Sequence, residues 1–247
     1  MSIAAVGLGA ILGAILGSFL ATVVIRLPSG EQAVLGRSRC DRCRRELGPL
    51  DLVPIVSRLW LRGRCRACGA SIDRTHALME ICAALVGGAS LGIAPGPSGL
   101  TLALFGWTLL PLAWLDWRHF WLPDKLVLPL AIGGLAFGGL LGASLLDRAV
   151  GGLVAWAALS LLSLMYRRAR GREGLGRGDA KLFGAIGLWL GWVSLAPVLA
   201  LAAALGLAVA LGRGLKARDS LPFGTMLAAA AWSVTVFQLA YAPAILS

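Results

Sequence analysis

The sequence predicts an all-α polytopic membrane protein of about eight transmembrane helices, with a small polar insert after the first helix. Hydrophobic residues make up 58% of the 247 residues and charged residues only 14%, far outside the range of soluble domains. Apolar runs long enough to cross a hydrocarbon core of about 30 Å recur along the chain. Most basic residues fall between alternate runs, as they do in multi-pass proteins.

The first apolar run extends from Ile3 to Ile25 without a charge. No basic n-region precedes it, so we expect a membrane helix rather than a cleaved signal peptide. Further candidate spans lie at about 77–94, 98–115, 126–146, 149–166, 182–193, 195–212 and 222–244. The run at 182–193 is short for a full crossing, so residues 182–212 form either two helices joined by a tight turn or one bent helix.

Basic residues indicate the orientation of these spans. Of the 23 Lys and Arg, 22 lie in the segments 26–74, 116–125, 167–181 and 213–218, and Arg148 is the exception. With eight spans these four segments share one side of the membrane. The positive-inside rule makes that side cytoplasmic and places both termini outside. The net charge of +11 therefore needs no nucleic-acid partner, and we expect none.

Two CxxC pairs lie in the first polar segment, residues 26–75: Cys40 with Cys43, and Cys65 with Cys68. Four thiolates from two such pairs complete a closed tetrahedral site, which is typical of structural zinc. A cytoplasmic location argues against disulfides, and a segment this small gains stability from a bound metal. We therefore expect a small cytoplasmic zinc-ribbon-like insert after the first helix; a redox pair or unmetallated thiols are the alternatives.

Four carboxylates lie at or inside predicted spans. Glu80 is a few residues inside the second span, where an ionisable group is costly and usually has a partner or a task. Asp116 and Asp124 lie in "LAWLDWRHFWLPDKL", and Asp179 lies in "GRGDAKL", each at the cytoplasmic end of an apolar helix. Two such carboxylates brought together can share one proton and activate a water molecule.

The glycines before Asp179 favour an unusual backbone there. Gly176 and Gly178 allow positive φ, or the close approach of an extended peptide. The alternative for Asp179 is a structural one, in which its carboxylate caps the N-terminus of the sixth helix. The residue pattern alone leaves both possibilities open.

Six motifs occur in order along nearly the whole chain: "GSFLATVVIRLP" at 17–28, "SRCDRC", "DLVPIVSRLWLRGRCRACGASI" with "ME" up to Glu80, "DWRHFWLPD" at 116–124, "GRGDAKL" at 176–182 and "LPFGTMLA" at 221–228. Through these motifs the chain resembles the type IV prepilin peptidases, the bifunctional GxGD-type aspartic membrane proteases also called leader peptidase/N-methyltransferases. The sequence departs from the family pattern at Asp41, where Pro usually follows Cys40, and at Thr225, where Pro is common.

The resemblance implies that Asp116 and Asp179 are the catalytic pair and that the four cysteines bind zinc. From their positions in the sequence we also expect supporting roles for four other residues: Gly176, Gly178, Asp124 and Glu80. Such an enzyme cuts the basic leader from prepilins or type II secretion pseudopilins at the cytoplasmic face of the bacterial inner membrane, after a Gly and usually before a Phe. It then methylates the new N-terminus with S-adenosylmethionine, for which no Gly-rich Rossmann fingerprint follows a strand in this chain.

We therefore divide the chain into a first transmembrane helix at 1–25, a cytoplasmic four-cysteine domain at 26–75 and a transmembrane aspartic peptidase domain at 76–247. The partners are then the substrate's membrane helix and the lipid bilayer. Two other function classes remain open. A proton- or cation-coupled transporter would use the four membrane carboxylates as ion sites. A membrane-tethered zinc-ribbon binding module would use the aspartates only as helix caps, and its isolated 26–75 segment would retain function.

Overall fold

A computed structural model of the chain describes residues 2–31, 38–40, 42–171, 174–216 and 219–245, with side chains as far as residue 241. The departure from the family pattern at Asp41 lies outside the described residues. Within the described ranges the structure is helical apart from two isolated antiparallel bridges, Arg39 with Glu46 and Arg64 with Ser71. The all-α class predicted from the sequence is therefore confirmed.

Nine α-helices follow one another in the described residues: α1 (Ile3–Arg26), α2 (Val56–Trp60), α3 (Arg74–Ile93), α4 (Pro97–His119), α5 (Asp124–Phe137), α6 (Leu145–Arg170), α7 (Arg177–Leu190), α8 (Leu195–Gly212) and α9 (Phe223–Ile245). Short 3-10 turns follow α1 and α5 and precede α2. Seven helical segments in this described part are long and apolar enough to cross a membrane, namely α1, α3, α4, α5 with its 3-10 turn, α6, α8 and α9.

The sixth predicted span is α7, which is too short to belong to that group. Its 14 residues extend about 21 Å, less than the hydrocarbon core of about 30 Å. Ten of the 14 residues are buried, so neighbouring helices rather than lipid surround it. Gly191 ends α7 with φ 77° and ψ 175°, a conformation that favours glycine. Residues 182–212 therefore form two helices.

The first compact unit, Met1–Pro95, is built on the close packing of α1 along α3. Gly9, Gly13 and Gly17 recur every fourth residue on α1, and a Cβ at Gly9 or Gly13 would overlap the backbone of Gly87 or Ala83. Small residues at this spacing let membrane helices approach closely. The residues between α1 and α3 form the cysteine-bearing insert. The three-domain division made from the sequence stays a prediction.

The second compact unit, Gly96–Ser247, surrounds α7 with α5, α6 and α9. Helix α4 packs against α5 and α9, and α8 packs against α9. On α7, Trp189 stacks on Phe105 of α4 with ring centroids 4.9 Å apart, and its indole N–H donates to the Leu130 carbonyl at 2.7 Å. At the crossing of α6 with α7, a Cβ on Gly187 would lie 2.5 Å from the Gly151 carbonyl oxygen. The core of this unit therefore fixes α7 on several sides.

Arg148, the one basic residue predicted on the outer side, is buried in α6. Its Nη1 donates to the carbonyl oxygens of Gly134 at 2.5 Å and Leu135 at 3.2 Å. These carbonyls belong to the end of α5, where the helix passes into a 3-10 turn. The guanidinium therefore supplies further donors to carbonyls at the end of α5, where the α-helix passes into the 3-10 turn.

Candidate active site and metal centre

Asp116 lies in the last turn of α4 and is only 5% exposed. Its Oδ2 accepts the backbone N–H of Thr225 at 2.7 Å and lies 3.1 Å from the Thr225 hydroxyl. The same hydroxyl is 2.9 Å from the Ala113 carbonyl oxygen, one turn back on α4. Thr225 belongs to the first turn of α9, whose N–H groups have no acceptor within the helix. The start of α9 therefore fixes one oxygen of Asp116.

Asp179 lies at the third position of α7, and Gly176 rather than Asp179 is the N-cap residue. The carboxylate is 8% exposed, and its Oδ2 accepts the Gly176 N–H at 3.1 Å. This is the reciprocal half of a capping box, in which a third-position acid returns to the N-cap N–H. Capping of α7 therefore accounts for one oxygen of Asp179. It does not account for the second nearby carboxylate, that of Asp116.

Asp116 and Asp179 are close enough for a direct electrostatic interaction. Helices α4 and α7 both pack against α5 and α9, and Phe105 of α4 stacks on Trp189 of α7; these contacts hold the two aspartates near each other. Asp116 lies 11 residues after Phe105, and Asp179 lies 10 residues before Trp189. At about 1.5 Å per residue these separations are about 16 and 15 Å, so two antiparallel helices joined at the rings bring the carboxylates to a similar level.

Leu122 occupies the space between the two backbones that flank the pair. A Cβ on Gly178 would come 2.9 Å from Leu122 Cβ, and a Cβ on Gly224 would come 2.8 Å from Leu122 Cδ1 and 3.1 Å from Asp116 Oδ2. Only glycine at these two positions lets both backbones come this close to the Leu122 side chain. Of the two possibilities left open for the GxGD glycines, positive φ does not occur, since Gly176 has φ −67° and Gly178 is helical. Close packing is the structural requirement at Gly178.

Asp124 begins α5 directly after Pro123, and its partner is Lys181 of α7. Lys181 Nζ donates to both carboxylate oxygens, at 2.7 and 2.9 Å. The lysine side chain is 47% exposed and the carboxylate 70% exposed, and ion pairs with this exposure are weak. The ion pair therefore connects the start of α5 with the start of α7. Its lysine lies two residues after Asp179 in the sequence.

Glu80 lies in α3 and is 6% exposed. Its Oε2 accepts the Ile55 N–H at 2.8 Å. Ile55 has φ 62° and ψ −51°, and the Val56 N–H donates to the Pro54 carbonyl oxygen at 2.6 Å, which together define a γ-turn. Such a turn is strained, above all for a β-branched residue. Glu80 therefore stabilises the strained γ-turn at Ile55 of the insert through this hydrogen bond.

The four cysteine sulfurs lie within 4.8 Å of one another, and Cys40 Sγ is 3.9 Å from Cys68 Sγ. A tetrahedral zinc with Zn–S bonds of about 2.3 Å has S–S edges of about 3.8 Å. Backbone hydrogen bonds from the Cys68 and Ala67 N–H groups lower the pKa of Cys65 to about 6, which favours the ligating thiolate. The cluster can therefore hold a metal ion.

The two cysteine pairs have the same local structure. In each, the first cysteine donates its N–H to the carbonyl five residues later, at 2.9 Å from Cys40 and 2.8 Å from Cys65. The fourth residue after each first cysteine has positive φ, 58° at Arg44 and 67° at Gly69. Two equivalent knuckles thus converge on one cluster, as the spacing of the CxxC pairs predicted.

Sequence reasoning gave no role to three residues of the candidate active site: Leu122, Lys181 and Thr225. Leu122 and Lys181 belong to the quoted motifs "LPD" and "GDAKL", so their proximity to the aspartates in sequence was an available signal. Thr225 stood out only as a departure from Pro. Proline has no N–H, so the 2.7 Å hydrogen bond to Asp116 depends on that departure.

Comparisons with known proteins agree with this architecture. The bacterial peptidase A24 N-terminal domain matches residues 11–91, and the type IV leader peptidase family matches residues 103–211. A prepilin leader peptidase/N-methyltransferase of Aeromonas hydrophila is 39% identical over 203 residues, covering 79% of this chain and 70% of that protein. The protein of that name from Pseudomonas aeruginosa PAO1 is 34% identical over 257 residues, covering 90% and 87%.

A third relative, the prepilin leader peptidase/N-methyltransferase of Burkholderia pseudomallei K96243, is 36% identical over 212 residues, covering 82% of this chain and 68% of that protein. No solved structure matches the chain significantly. Two family profiles thus match its two halves, and several relatives match most of its length. The chain belongs to the type IV leader peptidase family.

Proposed function

We propose that this protein cleaves the basic leader peptide from type IV prepilins or type II secretion pseudopilins and then N-methylates the new N-terminus. The observation that carries the proposal is the pairing of two buried carboxylates, Asp116 and Asp179, at the ends of α4 and α7. The relatives named prepilin leader peptidase/N-methyltransferase support both activities. Neither a transporter nor a zinc-ribbon module explains why the "D…LPD" and GxGD motifs occur together in this chain.

Two close carboxylates disfavour being ionised together, so the pair holds one proton between them. In the proposed reaction the ionised member takes a proton from water, and the protonated member donates to the oxygen of the scissile carbonyl. The water oxygen bonds to the carbonyl carbon. The C–N bond then breaks as the pair gives its proton to the leaving nitrogen and takes the proton of one hydroxyl of the tetrahedral intermediate, which returns the pair to one shared proton.

The surrounding hydrogen bonds suit this reaction. Thr225 engages Oδ2 of Asp116, and Gly176 engages Oδ2 of Asp179. Each carboxylate is thereby oriented by backbone groups at the start of a helix, which reduces the reorganisation needed in the transition state. The Oδ1 atoms are the ones we assign to the water molecule and the shared proton.

We further propose that the active site faces the cytoplasm and that the protein resides in the bacterial inner membrane with both termini outside. The one-sided distribution of 22 of the 23 basic residues supports this orientation. The substrate's apolar helix then lies in the bilayer beside the enzyme. Its leader stays on the cytoplasmic side, at the level of Asp116 and Asp179.

Zinc is the metal we assign to the four-cysteine cluster. Four thiolates within 4.8 Å form a closed donor set without an open position, which suits a structural ion rather than a catalytic one. The described insert has one five-residue α-helix and short 3-10 turns. Metal binding would therefore supply much of the free energy that orders it.

The test of the two activities is an incubation of the purified protein in detergent with a candidate prepilin, with and without S-adenosylmethionine. Mass spectrometry of the product N-terminus distinguishes the outcomes. We expect a trimmed chain without the methyl donor and a trimmed, methylated chain with it. A trimmed product that is never methylated would retain the peptidase and reject the methyltransferase; an untrimmed substrate would reject the peptidase.

A further inference from the structure

A cavity of about 570 Å³ lies within the N-terminal unit, between α1, α3 and the cysteine-bearing insert. One wall follows a single face of α1, at helical spacing, and is formed by Ile15, Ser18, Phe19, Thr22, Ile25 and Arg26. At about 1.5 Å per residue this wall is about 16 Å long. The cavity therefore extends from the end of α1 to about the middle of its membrane span.

The character of the α1 wall changes along its length. Arg26, at the end of the helix, is its one charged residue, whereas Ile15 and Phe19 lie deep in the span and are 57% and 44% exposed. The other lining arginines belong to the insert, which connects the end of α1 with the start of α3. Cations are thus found at the membrane surface, and an open apolar wall continues into the bilayer.

The charged lining is strongly positive. Six arginines contribute to it: Arg26, Arg39, Arg42, Arg45, Arg58 and Arg66. The two lining acids already have partners within the unit. Asp51 Oδ1 lies 3.3 Å from Arg66 Nε and its Oδ2 accepts the Gly48 N–H at 3.2 Å, while Glu80 Oε2 accepts the Ile55 N–H at 2.8 Å. Because the arginines exceed the acids by four, the lining favours a ligand with negative charge.

Arg42 and Arg45 are the cations best able to bind such a ligand. Within the described part of the chain, neither guanidinium forms an ion pair or a hydrogen bond, and both residues are exposed. Arg58, in contrast, is held by the Asp73 carbonyl oxygen, to which its Nη1 donates at 2.8 Å. A guanidinium can donate two parallel hydrogen bonds to phosphate oxygens. Arg42 and Arg45 therefore suit a phosphate group.

We propose that this cavity binds the headgroup of an anionic phospholipid of the phosphatidylglycerol type, from the leaflet next to the insert. Its phosphate contacts Arg42 and Arg45, and its acyl chains run along Ile15 and Phe19 in the bilayer. The volume is within the range of about 300–1,000 Å³ typical of small-molecule sites, which suits a headgroup whose chains remain in lipid. Basic pockets beside membrane helices recognise anionic headgroups in this way.

Other ligand classes match fewer of these features. A soluble anion would leave the exposed apolar wall of α1 without a partner. A zwitterionic phospholipid would bring its ammonium group close to the arginines, and the basic leader of the proposed substrate would be repelled by them. The inference concerns the N-terminal unit alone and does not depend on the proposed peptidase or methyltransferase activity.

The test titrates the full-length, zinc-loaded protein in detergent with phosphatidylglycerol and, separately, with phosphatidylethanolamine carrying the same acyl chains. Native mass spectrometry counts the bound lipid at each concentration. We expect the dissociation constant for phosphatidylglycerol to be at least about tenfold lower than that for phosphatidylethanolamine. Equal dissociation constants would overturn the proposal.

Two double variants separate the cavity from the general positive charge of the insert. Arg42→Gln with Arg45→Gln removes two lining cations, and Arg44→Gln with Arg64→Gln removes two exposed cations of the same insert that lie outside the lining. We expect the cavity variant to bind phosphatidylglycerol at least about tenfold more weakly and the control variant to bind it like the wild type. Equal affinities for the two variants would reject the cavity. Zinc content checks that each insert remains folded.

A photoactivatable phosphatidylglycerol gives an answer on the wild-type protein that needs no variant. After cross-linking and peptide mapping, labels within residues 15–80 support the site, and labels confined to residues 96–247 overturn it. Glycerol phosphate serves as the soluble competitor. We expect it to leave the labelling unchanged at an equal concentration; loss of the label would make the cavity a site for a soluble anion and would overturn the lipid assignment.

Discussion

At the scale of single residues, the candidate active site depends on hydrogen bonds that act on one oxygen of each carboxylate. The Thr225 hydroxyl has a single proton and two neighbours, Ala113 O at 2.9 Å and Asp116 Oδ2 at 3.1 Å. It can donate to Oδ2 of an ionised Asp116, or turn to the Ala113 carbonyl oxygen when Asp116 carries the shared proton on Oδ1. The residue therefore supports both protonation states that the proposed reaction requires.

Thr225→Val tests this role because it keeps the backbone N–H and nearly the same shape but loses the hydroxyl. We expect the cleavage rate to fall at least about tenfold, since a hydrogen bond to a charged group contributes about 1.5–3 kcal/mol. The pH profile of the rate should also change. Thr225→Ser should restore most of the rate. Equal rates and pH profiles for the valine variant and the wild type would remove Thr225 from the site.

At the scale of helices, glycine spacing decides how closely pairs of helices pack. On α1, a Cβ at Gly13 would overlap the Ala83 carbonyl, whereas a Cβ at Gly7 would meet nothing within 4 Å. Gly13→Ala and Gly7→Ala are thus the same substitution on the same helix in opposite surroundings.

We expect Gly13→Ala to lower the thermal unfolding midpoint in detergent by several degrees, because overpacking a close contact costs about 1–3 kcal/mol. Gly7→Ala should leave the midpoint unchanged or raise it slightly, since alanine favours the helix. Equal midpoints for the two variants would mean that α1 does not pack on α3 as described.

The helices also show what the sequence could predict. Apolar runs located all seven candidate membrane helices of the described residues to within a few residues, because lipid exposure requires long hydrophobic segments. The run 126–146 concealed a break, since α5 ends at Phe137, a 3-10 turn follows, and Ser144 caps α6. Hydropathy does not detect such breaks; cap residues do. The buried environment of α7 explains why a span this short was the uncertain one.

Part of the candidate site was also predictable, because some of its residues are unusual in sequence. Asp116, Asp179 and the four cysteines stood out because charged groups at membrane ends and paired CxxC motifs are rare. The γ-turn at Ile55 that occupies Glu80 depends on tertiary contacts. So does the close contact between Gly178 and Leu122. Neither leaves a local sequence signal.

At the scale of the whole molecule, the insert between α1 and α3 requires its own source of stability. If zinc supplies it, the purified protein should contain about one zinc per chain, and Cys65→Ser should lower both zinc content and the unfolding midpoint. Cys82→Ala, which changes an exposed cysteine of α3, is the control and should leave zinc unchanged. Full zinc occupancy in the Cys65→Ser, Cys68→Ser double variant would reject the cysteine site.

The basic residues predict the orientation of the whole chain. A reporter that is active only outside the cytoplasm should be active when inserted near Asp147 and silent when inserted near Gly48 or Gly171. Each of the three insertions reports on which side of the membrane a different loop lies. Activity at Gly48 would show that the orientation is inverted and that the aspartate pair faces the other side.

The most direct measurement of the central claim is cleavage of a prepilin by Asp116→Asn and Asp179→Asn, with Asp124→Asn as the matched control. Asparagine keeps the shape of the side chain but cannot share the catalytic proton. Both variants of the pair should lose cleavage while they keep the wild-type unfolding midpoint. Asp124→Asn, which changes an exposed ion pair, should keep most of the rate. Wild-type cleavage by either Asp116→Asn or Asp179→Asn would contradict the mechanism.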